Sequence, residues 1–223
     1  MTPGAMARLL DHSVLKPEAT ESDVLAGAAL VRSRAIGYYC VQPFWVSVAA
    51  RALAGSDARV VAVAGFPHGC EQSAAKSQSA ALAVSDGAGE IDMVMNFGLL
   101  KSGAAAAVAK DIAQVVRAVP GIPVKVIIEA RVLTDDEKRI ACRLVVDSGA
   151  AFVKTSTGFH PAGGATVEDV RLMRTAVGPD FGVKAAGGIR TLADALAMLE
   201  AGANRIGVSA SAAILDELGR RAA

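Results

Sequence analysis

One pattern constrains this chain more than any other: eight short apolar stretches, each followed by a segment of helical length and closed by glycine, proline or a capping residue. The predicted strands are Arg8–Leu15, Ile36–Gln42, Val60–Phe66, Glu90–Asn96, Val124–Ala130, Ala151–Ser156, the stretch Val183–Gly188 and Arg205–Ser209. Helices are predicted over about Thr20–Arg34, Phe44–Ala54, Glu71–Ser85, Ala104–Val119, Thr134–Ser148, Thr166–Ala176, Thr191–Ala201 and Ser211–Leu218. Their ends carry local signals. Thr20 precedes Asp23, Thr134 precedes Glu137 in a capping box, Pro43 suits a first turn, and Gly202 suits a C-terminal cap. Strict alternation implies parallel strands joined by crossover helices. Eight units in 223 residues, near the roughly 250 usual for a (β/α)8 barrel, favour a single TIM-barrel domain spanning residues 1–223 over an open doubly wound sheet. Neither a G-x-G-x-x-G fingerprint nor a Walker A pattern supports the open alternative.

Composition narrows the function classes. Aromatics are 4% of the chain and hydrophobic residues 52%, so the core is built from Ala, Val, Ile and Leu. The formal charge is +1 with no Lys/Arg block, which leaves no electrostatic footprint for nucleic acid or an anionic membrane. No apolar run approaches the roughly 20 residues of a membrane span, and the N-terminus lacks the regions of a signal peptide. Cys40, Cys70 and Cys142 are odd in number and lack C-x-x-C spacing, so they read as free thiols in a reducing compartment. His68 and His160 fall in loops without a third ligand at a sensible spacing, so no metal and no cofactor are expected.

Two lysines stand out because each interrupts an apolar strand: Lys154 in Phe152–Ser156 and Lys184 in Val183–Ala186, each followed by glycine. Lysine is almost never fully buried unless something pairs or uses it. Barrel sites lie at the C-terminal ends of the strands. There a period of two places Asp92 with Val94 and Asn96, Lys125 with Ile127 and Glu129, and Lys154 with Phe152 and Ser156. Low dielectric and a neighbouring cation make a lysine amine nucleophilic, and it then forms a Schiff base with a carbonyl. A carboxylate such as Asp92 shuttles the protons. Either lysine fits the part of nucleophile, with the other as the neighbouring cation. Lys125 and Glu129 read as an ion pair that orients the site, and Asp11 as part of its hydrogen-bonding network. Thr157-Gly158, Gly187-Gly188 and the helix start after Ser209 offer backbone N–H groups to an anion, where barrels commonly bind phosphate. Ser209 and Ser211 add hydroxyls.

These residues carry a resemblance. Asp11-His12 with Lys16-Pro17, Gly65-Phe66-Pro67, Glu90–Val94, Lys125–Glu129, Val153–Phe159, Gly163–Thr166, Val183–Arg190 and Arg205–Gly207 together resemble the deoxyribose-phosphate aldolase family over essentially the whole chain. The resemblance implies a metal-free class I aldolase cleaving 2-deoxy-D-ribose 5-phosphate reversibly to D-glyceraldehyde 3-phosphate and acetaldehyde. It implies Lys154 as the Schiff-base lysine, Lys184 as the lysine that perturbs it and Asp92 as the proton relay. It further implies Asp11 and Lys16 as supporting residues, Cys40 near the bound aldehyde, and Gly187, Gly188 and Ser209 at the phosphate. A phosphorylated sugar is the expected partner, a homodimer the expected assembly and the cytoplasm the expected location. The chain departs from common members at Ala130, Val208, Ala210 and His68, and has no tyrosine after Tyr39 to reach the substrate from a C-terminal tail. Two other functions fit parts of the pattern: a sugar-phosphate isomerase with carboxylate bases, which leaves the paired lysines unexplained, and a non-catalytic barrel that senses a phosphorylated metabolite.

Overall fold

The computed structural model describes residues 1–222. Eight parallel strands close into a barrel in sequential order, β1 pairing with both β2 and β8. They are β1 Leu10–Val14, β2 Tyr38–Val41, β3 Arg59–Ala64, β4 Glu90–Val94, β5 Val124–Ile127, β6 Phe152–Lys154, β7 Gly182–Ala186 and β8 Arg205–Val208. The helices are α1 Pro3–Leu9, α2 Glu21–Ser33, α3 Val46–Ala52, α4 Ser73–Ser85, α5 Phe97–Lys101, α6 Ala105–Ala118, α7 Asp135–Asp147, α8 Val167–Val177, α9 Leu192–Glu200 and α10 Ser211–Ala222. The predicted capping box forms at Thr134/Glu137, the predicted cap at Thr20 is also a box with Asp23, and a third forms at Thr191/Asp194. Each satisfies backbone donors that the first turn leaves free.

The main core lies between sheet and helices. Alanines 28, 49, 80, 83, 141 and 195 are buried there, so the helices approach the strands closely. Inside the barrel the floor is closed by Arg205. Its guanidinium lies 3.2 Å from the Tyr38 ring centroid and 5.2 Å from that of Phe152, and it donates to Glu90 at 3.2 Å. Gly182 makes room for this, since a Cβ there would come within 2.3 Å of the Phe152 ring. Among the described residues no helix is long and apolar enough to cross a membrane.

Several boundaries differ from the sequence reading, each for a local reason. Arg8 and Leu9 belong to α1, because Thr2 accepts the Ala5 N–H and Pro3 occupies the first turn, so β1 starts at Leu10. Asn96 lies beyond β4, where its side chain accepts the Leu99 N–H and starts the short α5. The predicted face Asp92–Val94–Asn96 therefore stops at Val94. The same holds for β5, which ends at Ile127, with Glu129 held left-handed at φ 51° and ψ 59°.

Candidate active site

Strand register assembles the charged cluster. Asp92 lies opposite Lys125 between β4 and β5, and Lys154 opposite Lys184 between β6 and β7. The Lys154 and Lys184 ammonium groups converge on one oxygen, Asp92 Oδ2, at 2.6 and 2.8 Å. Lys125 donates to the other, Oδ1, at 2.8 Å and to Glu90 at 2.7 Å. Lys184 also donates to Asp11 across the barrel. Gly207 on β8 clears the path of that side chain, since a Cβ would stand 3.0 Å from Lys184 Cε. The two strand lysines and Asp92 thus point to the same place.

The electrostatics separate the lysines. Burial favours the neutral form of Lys184, but Asp11 and Asp92 overcome it and raise its pKa, so this side chain stays cationic. Burial likewise opposes charge on Asp92, yet Lys125, Lys154 and Lys184 together hold its carboxyl well below the usual range. Within the barrel, four cations (Lys125, Lys154, Lys184 and Arg205) bond to three carboxylates, Asp11, Glu90 and Asp92. One positive charge is in excess. Lys184 holds two carboxylates, and so does Lys125. Arg205 remains charged at any ordinary pH. Lys154 has a share of only one carboxylate oxygen.

Lys154 and Lys184 line a cavity of about 920 Å³ at the C-terminal mouth, together with Asp11, Lys16, Cys40, Thr157, Gly158, Gly187, Gly188 and Ser209. Asp92 lies just beneath it, fully buried. Lys16 is exposed at the rim. Cys40 and Leu15 line the cavity and pack on Val61 and Val63 behind them in an apolar cluster. Burial pushes the Cys40 thiol up to about 12, so it stays neutral. Gly158, Gly187 and Gly188 have φ of 81°, 86° and 79°, values that favour glycine. Arg190 also lines the cavity. Sequence reasoning passed over it, although it follows the Gly187-Gly188 pair by two positions.

Some expected roles do not hold. Lys125 and Glu129 form no ion pair, because Lys125 is taken by Glu90 and Asp92 while Glu129 turns toward Thr157. Thr157 lines the cavity, but its N–H and hydroxyl both go to Glu129, so it offers no free donor there. Ser211 is fully buried, with its hydroxyl 3.0 Å from His12 Nδ1, whose ring stacks on Tyr39. It faces the packing layer, so of the two serines only Ser209 lines the cavity. Ala130 is buried, Val208 is a buried part of the cavity wall, Ala210 is half-buried and His68 is exposed. Among the described residues no group of three or more His, Cys, Asp or Glu is placed to hold a metal ion.

A closed (β/α)8 barrel whose mouth holds two lysines on one carboxylate is the framework of an aldolase barrel. Residues 5–217 match the model of the DeoC/LacD family of aldolases, and the chain belongs to that family. Within it, the chain is 50% identical over 214 residues to Deoxyribose-phosphate aldolase 1 of Bacillus licheniformis, covering 96% of each chain. Among solved structures it is similar to QR15, an aldolase (36% identity, TM-score 0.92, 97% of this chain and 96% of that one). It is also similar to the tetrameric deoxyribose phosphate aldolase from Aeropyrum pernix (28% identity, TM-score 0.90, 98% and 92%).

Proposed function

We propose that this protein is a class I aldolase that reversibly cleaves 2-deoxy-D-ribose 5-phosphate into D-glyceraldehyde 3-phosphate and acetaldehyde, with Lys154 as the nucleophile. The observation that carries the assignment of Lys154 is the charge surplus: of the two strand lysines that line the cavity, it has the weaker claim on a carboxylate, sharing Asp92 Oδ2 while Lys184 also holds Asp11. Lys154 gives up its proton, attacks the C1 aldehyde of the open-chain sugar, and loses water to form an iminium ion. That nitrogen accepts the electron pair released when the C2–C3 bond breaks. The C3 hydroxyl loses its proton as glyceraldehyde 3-phosphate departs. The remaining enamine takes a proton at C2, and hydrolysis of the iminium releases acetaldehyde and restores Lys154.

Asp92 handles the protons. In the free enzyme three ammonium groups depress its basicity. When the Lys154 ammonium becomes an iminium, two of its three N–H groups are gone, and Asp92 Oδ2 accepts the C3 hydroxyl proton, through a water or directly. Lys184 remains charged between Asp11 and Asp92. Its field disfavours a second cation at Lys154 and is present throughout the cycle. Lys16 and Asp11 support the cluster. The apolar wall of Cys40 and Leu15 receives the two-carbon end. The phosphate is read by Gly158, Gly187, Gly188 and Ser209, with Arg190 beside them. We take the enzyme as one cytoplasmic domain that pairs as a homodimer.

The test is a coupled assay of deoxyribose 5-phosphate cleavage on wild type, K154L and D92L. The reading predicts turnover in wild type and a loss on the order of 10⁴-fold or more in K154L. A folded K154L protein that retains turnover contradicts it.

A further inference from the structure

Glu129 has a left-handed backbone that glycine or asparagine usually supplies, at a cost of about 1–3 kcal/mol for other residues. Ala35, the other such non-glycine residue, sits just past the end of α2, where a left-handed residue is ordinary. Glu129 instead follows β5 by two residues, and the end of β6 with the residue after it holds its turn from both sides. Ile128 N–H donates to the Lys154 carbonyl at 3.0 Å, and Ala130 N–H donates to the Thr155 carbonyl at 2.8 Å. This turn aims a carboxylate, 1% exposed, along β6 at Thr157. The Thr157 hydroxyl donates to Oε2 at 2.6 Å, and its N–H reaches both oxygens at 3.3 Å. Thr157 Oγ1 in turn accepts the Phe159 N–H at 3.1 Å. The segment so held touches the glycine pair of β7, since a Cβ on Gly187 would meet Gly158 Cα at 3.1 Å and Gly164 Cα at 3.0 Å.

We infer that Glu129 is a positioning residue for the phosphate seat: through Thr157 it fixes Gly158 against Gly187, so that the N–H groups beyond them converge on one anion. The inference rests on the proposed aldolase function, and it separates two parts of the cavity. Imine chemistry depends on the lysine cluster. Phosphate affinity depends on Glu129, which bonds to no lysine.

Glu129→Ala, Glu129→Gln and Thr157→Val are the variants to measure, with inorganic phosphate as the competitive probe. A lost buried bond of this kind weakens binding about tenfold. E129A and T157V are therefore expected to raise both the KM for deoxyribose 5-phosphate and the inhibition constant of phosphate about tenfold, with kcat falling about threefold or less. E129Q, which keeps an acceptor for the hydroxyl, is expected to recover most of the loss. Exchange of acetaldehyde methyl protons in D2O, which needs an imine but no phosphate, is expected to fall by about twofold or less. An unmoved phosphate constant in E129A and T157V overturns the inference, as does a loss confined to kcat. Absence of exchange in wild type sinks the imine reading instead, and the phosphate constants still decide the role of Glu129.

Discussion

Lys76 and Lys154 are both buried lysines with a carboxylate partner, and they do different work. Lys76, on α4, is sealed between the helices and the sheet, donating to Asp111 of α6 at 2.7 Å and to the Val94 carbonyl at 2.9 Å. One cation there meets one anion, and the cavity at the barrel mouth does not reach it. Lys154 shares a single oxygen of Asp92 with Lys184 and opens onto the cavity. Burial alone therefore does not mark a reactive lysine. In the proposed mechanism an unmatched positive charge with access to substrate does, and the matched pair serves as a fastener at the end of the strand that carries Asp92.

The comparison is broken most directly at Lys184. Replacing it with Leu removes one cation and leaves Lys154 as the one donor to Asp92 Oδ2, so that the surplus charge is gone. Turnover is expected to fall on the order of 10³-fold in the coupled assay, with Lys184→Arg recovering part of it. Undiminished turnover in K184L would show that the charge surplus is irrelevant. At Lys76 the expected effect lies in stability. Lys76→Met strands Asp111 in an apolar layer and should cost about 3–5 kcal/mol by urea unfolding. The double variant K76M/D111L should recover most of it. Turnover per folded molecule should change by only a few-fold. A large loss of turnover with unchanged stability would reverse the roles assigned to the two lysines.

A smaller effect is expected from pH. Asp92 is depressed in the folded protein, so its contribution is present above its ordinary value of 3.8 and is lost as pH falls through the folded value. Lys184 is raised, so its contribution is complete below 10.5 and is lost as pH climbs through its folded value. The Cys40 thiol, raised by burial from 9.0 to about 12, makes stability fall across that interval. Unfolding free energy attributable to these groups should be flat between about pH 5 and 8 and decline above about 9. Stability that still rises at pH 10 contradicts this set. The smallest expected effect concerns thiols. A disulfide reagent should modify exposed Cys70 first, with buried Cys40 and Cys142 reacting only on unfolding.

Much of the site was legible in the sequence because strands have a period of two. Asp92, Lys125, Lys154 and Lys184 all lie within strands, and their shared direction follows from alternation. Legibility ended where the strands ended. Extending that alternation past Ile127 assigned Glu129 to the wrong partner, because nothing in a glutamate announces a left-handed turn. Asn96 went the same way, although an asparagine ahead of Phe97-Gly98-Leu99 is a reasonable helix cap. Helix α1 was missed despite Thr2-Pro3, a usable start signal. Lys76 and Asp111 were invisible for a different reason. Each sits among alanines and polar residues on a helix, where a charged side chain normally faces water, and only the crossing of α4 with α6 buries them together.

The central claim is a nucleophilic amine at position 154. Incubation of the folded enzyme with acetaldehyde and borohydride, followed by peptide mapping, tests it without any assay of turnover. The account predicts a single ethylated lysine, Lys154, with Lys184 unmodified. An ethyl group on Lys184, or no adduct on either residue, contradicts it.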